Sequence, residues 1–380
     1  MNLNENNSGE LDVSAEKSAN RHVSSAYERG ERNSSIALVA AILALAMLTC
    51  AVFALFTEES LPVILPGVTT TQSGSGTTTL PQVIKPQDPS KTYPYATKTD
   101  KTQFVADEGG KGMYQLEIDS GYAILVNVSD MTTVAHKYAD ELIYPASMTK
   151  VLTIVTALDI IEDISDGYVL TDEVLAVVPE DASVAWLKSY IGRTVSIRDL
   201  LYGISYMSGA DSVVCLLDYL GFTEAEFASL MNLKAAEIGM KNSHFGGAIG
   251  MDSENNTTTC RDIAALMTYA MENPLCKELF GGLSYRLDHL DLTYYNSTLS
   301  KTLYNMGTDP ERVLGSRYTL LAAKSGLEDK AGYCLVSYIE NNVTGEFFVL
   351  VTAKASRADD YPPNKNTILD MDEIFDAYNP

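Results

Sequence analysis

Apolar and polar positions alternate differently in three zones of the chain. Residues 1–34 have almost no apolar periodicity and read as a cytoplasmic disordered tail. Residues 36–56 then run for 21 positions without a charge. At about 1.5 Å per residue this covers the roughly 30 Å hydrocarbon layer of a bilayer, and soluble helices of that length keep a polar face. A transmembrane helix is therefore expected over residues 35–56. A cleaved signal peptide fits less well, because the polar lead is long and no A-x-A site follows. Arg29 and Arg32 precede the span, Glu58 and Glu59 follow it, and the next base is Lys85. The positive-inside rule then leaves the N-terminus in the cytoplasm and everything after the span outside the cell membrane, as a single-pass protein. Residues 57–104 carry eleven Thr, six Pro and a Ser-Gly-Ser-Gly run at 73–76, the composition of a solvated extracytoplasmic linker.

Residues 105–380 have the patterning of a folded domain. Period-2 stretches at 121–128 and 133–138 predict one β-hairpin, and those at 332–339 and 346–353 a second. Between them, apolar positions recur at helical spacing over 147–161, 196–206, 211–220, 224–238 and 259–273, and a last helix is expected at 367–378. Strands at both ends with helices between them give an α/β (α+β) class: an antiparallel sheet built from both chain ends, flanked by helices, with an inserted helical lobe.

Composition narrows the chemistry. The chain carries a formal charge of −23, and residues 105–380 hold 40 acidic against 19 basic side chains, so a nucleic-acid partner is excluded. An anionic substrate group needs a local cationic pocket against that field. Five cysteines in 380 residues do not make a disulfide scaffold; Cys215, Cys260, Cys276 and Cys334 could pair in three ways, but the apolar runs around Cys215 and Cys334 favour buried free thiols. The four histidines are scattered, with no HExxH or CxxC, so no metal or other cofactor is implied.

Tyr144-Pro145-Ala146-Ser147-Met148-Thr149-Lys150 opens the longest apolar helix. Pro145 ends any helix before it, and Lys150, three residues on from Ser147, shares its face. A neutral lysine amine there can deprotonate the serine, and a helix start supplies N–H donors where an oxyanion forms. The pattern alone says little, since Ser14 and Lys17 repeat it in the tail. Two further motifs raise its weight: Ser208-Gly209-Ala210 in a break between helices, and Lys324-Ser325-Gly326 leading into the C-terminal hairpin. S-x-x-K, S-x-N and K-T-G in this order are the signature of penicillin-binding proteins and class A β-lactamases.

With these motifs the chain resembles the serine-type D-alanyl-D-alanine carboxypeptidases, the low-molecular-mass penicillin-binding proteins of the β-lactamase/transpeptidase-like family. Gly121–Val126, Ala139-Asp140, Met231-Asn232, His244-Phe245 and Ala331–Leu335 extend the likeness over roughly residues 110–378. The resemblance implies that Ser147 is acylated by a terminal D-Ala-D-Ala bond and that Lys150 takes its proton. It further implies that Ser208 relays a proton to the departing D-alanine, and that Lys324 and Ser325 bind the terminal carboxylate. By the same resemblance Gly326 lets the strand approach substrate, and the N–H groups of Ser147 and Leu327 form the oxyanion hole. The implied partners are peptidoglycan stem peptides and, as covalent inhibitors, β-lactams. In the physical reading, Lys150 loses its proton near neutrality through burial and a second cation, Lys324.

The sequence departs from the family at Ala210, where an Asn is expected, and at Ser325, which replaces the usual Thr but keeps its hydroxyl. Asp211 follows Ala210 but points elsewhere if the next helix keeps its register, and Ser253-Glu254-Asn255 has the wrong spacing for the second motif. A β-lactamase and a non-catalytic wall-binding or signalling module remain as alternatives. No E-x-x-L-N-like loop supports the first, whereas Ala210 motivates the second.

Overall fold

The computed structural model describes residues 91–299, 317–356 and 365–380, all within one compact unit, Thr79–Pro380. The tail, the span expected at 35–56 and most of the linker lie outside the described residues. Among the described residues no helix is long and apolar enough to cross a membrane.

The strands are β1 (Lys111–Gly112), β2 (Tyr122–Asn127), β3 (Thr132–Lys137), β4 (Gly167–Val169), β5 (Thr194–Ser196), β6 (Ser284–Arg286), β7 (Thr293–Tyr295), β8 (Tyr318–Glu328), β9 (Gly332–Asn341) and β10 (Phe347–Ala355). The helices are α1 (Thr149–Leu158), α2 (Asp172–Leu175), α3 (Ile197–Tyr206), α4 (Ala210–Leu220), α5 (Glu224–Ile238), α6 (Cys260–Ala270), α7 (Pro274–Gly281) and α8 (Lys365–Tyr378). The main sheet has the order β1-β3-β2-β10-β9-β8, antiparallel except for the short parallel β1–β3 pair. Strands from the two chain ends meet where β2 pairs with β10, as the two-hairpin pattern implies.

Period-2 alternation explains how one sheet serves two cores. Ala123, Leu125, Leu335, Ile339, Phe348 and Leu350 face Met371, Ile374 and Phe375 of α8. The intervening Ile124, Val126, Val336, Val349 and Val351 face the helical lobe. Side chains cap the lobe's helices as their sequences suggest: Ser196 with Asp199 on α3 and Thr223 with Glu226 on α5 form capping boxes, and Asn273 precedes Pro274 on α7.

Three features differ from the pattern-based expectation. Lys324-Ser325-Gly326 does lead into the C-terminal hairpin, but it is itself part of the sheet, inside β8, an 11-residue edge strand paired antiparallel with β9. The three-residue strands of the β4–β5 and β6–β7 pairs are too short to show periodicity. The last stretch of the expected linker lies on the domain: Phe104 is buried edge-on against Tyr269, Lys101 pairs with Glu272 at 2.7 Å, and Tyr95 accepts a bond from Asn273.

Candidate active site

Ser147 lies in a three-residue 3-10 turn, Ala146–Met148, closed by Met148 N–H on the Pro145 carbonyl at 3.1 Å, and α1 begins only at Thr149. Ala146 has a φ of +47°, a left-handed conformation that costs a non-glycine residue about 1–3 kcal/mol. The segment before it is fixed by reciprocal backbone bonds between Ile143 and Thr258 and by a two-pronged Arg261–Asp140 pair at 2.6 and 2.9 Å.

Lys150 projects from the first turn of α1 with Nζ 2.9 Å from Ser147 Oγ, and it donates to the Ile249 carbonyl at 2.6 Å. Its side chain is 2% exposed. Burial lowers its pKa to about 7, against the opposing pull of the Glu328 and Asp211 carboxylates. A large fraction of Lys150 is therefore neutral at physiological pH and able to take a proton from the adjacent hydroxyl.

The loop that presents Ile249 is held on three sides. Asn232 exchanges amide bonds with both backbone groups of Phe245, Thr153 donates to the Ala248 carbonyl at 2.7 Å, and Gly250 (φ +86°) lies against the Ala146 carbonyl. Only glycine fits there, since an added Cβ would sit 2.3 Å from that oxygen. Sequence reasoning missed this loop; the glycines at 246, 247 and 250 were its available signal.

On β8, Lys324 is 1% exposed, with Nζ 3.0 Å from Ser208 Oγ and a bond donated to the Ser325 carbonyl at 2.8 Å. Burial and the Lys150 charge push its pKa well down. The burial expected to depress Lys150 is its leading cause, whereas Lys324, the expected second cation, is not among the causes of that shift; the repulsion between the amines instead lowers Lys324. Gly326 is also required for packing. A Cβ there would meet Ala146 Cβ at 2.9 Å and both the Pro145 oxygen and the Ser147 nitrogen at 3.0 Å, so the glycine lets β8 pack on the turn that carries Ser147. Leu327 follows on the same strand, exposed at the cleft.

Ser208 sits between α3 and α4 in a left-handed conformation, φ +56°. Ala210 is not in the break: it is the first residue of α4 and fully buried. Asp211 does point away from the lysines' hydroxyl partners. Its buried carboxylate accepts bonds from the N–H groups of Ala185 (2.8 Å), Leu187 (3.0 Å) and Ser212 (2.9 Å), and so holds the neighbouring wall of the cleft. Ser253 and Asn255 bond to each other in a separate turn and do not line the cleft.

Ser147, Ser208, Ser325, Gly326 and Leu327 all line one open cleft of about 950 Å³. Asp119, Asp181, Glu328 and Asp329 line it as well, with Lys354. Cys215, Cys260, Cys276 and Cys334 are buried free thiols, as expected.

The fold is that of penicillin-binding transpeptidases and carboxypeptidases. A variant of the Streptomyces K15 DD-transpeptidase superposes with a TM-score of 0.57 at 24% identity, covering 69% of this chain and 100% of that one. Penicillin binding protein 5 from Haemophilus influenzae gives 0.59 at 18%, covering 70% and 73%. The sequence profile of the D-alanyl-D-alanine carboxypeptidase family, peptidase family S11, matches residues 110–354, and the chain belongs to that family. Relatives include the D-alanyl-D-alanine carboxypeptidases DacF of Bacillus subtilis, 24% identical over 61% of this chain, and DacC of Escherichia coli, 32% identical over 39%. The matches span 57% and 38% of those proteins' own lengths.

Proposed function

We propose that this protein is a membrane-anchored serine D-alanyl-D-alanine carboxypeptidase that removes the terminal D-alanine from peptidoglycan stem peptides. The observation that carries the reading is the buried Lys150 amine, with a pKa near 7, placed 2.9 Å from Ser147 Oγ beside the Lys324–Ser208 pair. Neutral Lys150 takes the Ser147 proton as Oγ attacks the carbonyl carbon of the penultimate D-alanine. The backbone N–H groups of Ser147 and Leu327 receive the developing oxyanion. The C–N bond then breaks, and Ser208 passes a proton to the nitrogen of the leaving D-alanine. Lys150 returns its proton to Ser208 and is neutral again. Water then attacks the acyl ester, Lys150 takes the water proton, and that proton passes to Ser147 Oγ as the ester C–O bond breaks. The substrate carboxylate binds at Ser325 and Lys324. The arriving countercharge favours the protonated form of Lys324, which burial disfavours. β-Lactams acylate Ser147 in the same way.

The anchor in this proposal is the span at 35–56, with the N-terminus cytoplasmic and residues 105–380 outside the membrane. Full-length protein should partition with membranes and lose its catalytic domain to protease added outside the cell; a freely soluble chain would remove the anchor from the proposal.

The activity is tested by incubating the full chain, in detergent, with a stem pentapeptide ending in D-Ala-D-Ala and measuring D-alanine release. Release should fall by about 10²–10⁴-fold in Lys150→Ala, the usual weight of a general base. If wild-type protein binds muropeptides without releasing D-alanine or retaining penicillin, the wall-binding reading motivated by Ala210 replaces this one. Rapid penicillin turnover would instead indicate a β-lactamase.

A further inference from the structure

The segment 296–299 lies between two parts of the cleft that are far apart in sequence. Asn296, 1% exposed, anchors it by donating to the Phe280 and Gly282 carbonyls at 3.3 and 3.0 Å, and by accepting from Leu299 N–H at 3.0 Å. The next residue, Ser297, donates from its hydroxyl to the Tyr206 carbonyl at 3.0 Å, two residues before Ser208. Thr298, 2% exposed, then turns to β8: its Oγ1 accepts from Ser325 N–H at 3.2 Å and lies 2.8 Å from Ser325 Oγ. Three consecutive side chains thus tie the Ser208 turn to the strand bearing Ser325.

We infer that Thr298 is a positioning residue for carboxylate recognition, fixing the Ser325 hydroxyl toward the terminal carboxylate of the substrate. Ser325 lines the cleft, yet a serine has no second Cβ substituent to restrict χ1, as the threonine at this place in the family motif has. Thr298 Oγ1 accepts from the Ser325 amide and, by donating its own proton to Ser325 Oγ, would hold that oxygen in place with the Ser325 proton directed to the substrate. The restraint that a branched side chain would give locally comes here from a neighbouring segment. This inference rests on the proposed carboxylate-binding role of Ser325, and its test is separable from catalysis.

The test is calorimetric binding of an acetylated peptide ending in D-Ala-D-Ala to full-length Ser147→Ala protein, which cannot acylate, with and without Thr298→Val. Thr298→Val should weaken binding about three- to tenfold, the range of one hydrogen bond's worth of orientation. Thr298→Ser keeps the hydroxyl and should bind as the parent does. Adding Ser325→Thr to Thr298→Val should restore most of the loss, because the branched side chain supplies the missing restraint. The same peptide with a C-terminal amide should bind weakly and equally to all four proteins, a pattern that general loosening of the fold would not give. Unchanged carboxylate binding in Thr298→Val, or equal losses for the acid and the amide, overturns the inference. Absence of binding to every protein also overturns it. The proposed activity fails separately, if protein with Ser147 intact neither releases D-alanine nor acylates while the Thr298 dependence of binding persists.

Discussion

The two walls of the cleft are built on different principles. On the Ser147 wall, motif residues lock onto one another: Lys150 reaches both Ser147 Oγ and the Ile249 carbonyl, and β8 packs on the nucleophile turn with no room for a Cβ at Gly326. On the Ser208 wall the side chains do less. Ser208 makes its bond to Lys324, and Ala210 offers no polar atom; position comes from backbone bonds, Gly209 N–H to Gly203 at 3.0 Å and Ala210 N–H to Ser183 at 2.8 Å, backed by the Asp211 carboxylate. Ser208 is therefore held without an amide at 210. That is why loss of the family Asn is compatible with an intact Lys324–Ser208 contact.

The sharpest way to break this contrast is Asp211→Ala. It leaves the Ala185, Leu187 and Ser212 N–H groups without their acceptor at about 1–3 kcal/mol each, so a stability loss above ~3 kcal/mol is expected in denaturant titration. Acylation should fall with it by more than about a hundredfold; a stable, active variant would show that the Ser208 wall stands without its carboxylate. Gly326→Ala should act on the other wall. Overpacking typically costs about 1–3 kcal/mol, and the displaced Ser147 turn should slow acylation by roughly ten- to a hundredfold.

Acidity tests the Ser147 wall more gently. Folding drops the Lys150 pKa from its ordinary value of 10.5 to about 7, so the acylating, neutral form is lost as pH falls through 7. Acylation by penicillin at pH 6 should be about tenfold below its plateau. Because Lys150 and Lys324 interact, that midpoint belongs to the pair. The linked effect on stability has the opposite origin: between about pH 7 and 10.5 the unfolded chain holds the lysine proton and the folded one does not, so this group's contribution becomes more favourable as pH rises. A rate flat from pH 6 to 8 would remove Lys150 as the base. Ala210→Asn should have the smallest effect on acylation, within about threefold. Its amide enters a fully buried place at the start of α4, so the thermal midpoint should drop as for a buried polar group of about 1–2 kcal/mol. A rise near a hundredfold would mean that the amide reaches the substrate.

The parts of this site legible in the sequence are those whose geometry is local. Ser147, in the 3-10 turn that runs into α1, and Lys150, in the first turn of α1, are three residues apart, and Lys324 to Leu327 are consecutive on one strand, so once the three motifs are taken together spacing places them. The two-ended sheet was legible for the same reason, since period-2 runs in β2, β9 and β10 are long enough to count. Ile249, Thr298 and the role of Asp211 were not legible. Their bonds join residues 99, 27 and 26 positions apart, and nothing in the intervening letters reports that approach. The left-handed turns at Ala146 and Ser208 were hidden too, because neither residue carries the glycine or asparagine that marks such backbone.

The most direct test of the account is intact-mass and peptide-mapping mass spectrometry of the full chain after brief exposure to benzylpenicillin at pH 8. One penicilloyl adduct should appear, located on the peptide containing Ser147, and be absent from Ser147→Ala protein that melts within a few degrees of wild type. An adduct that persists in that variant, or a wild-type protein that never acquires one, would contradict the assignment of Ser147 and Lys150 as nucleophile and base.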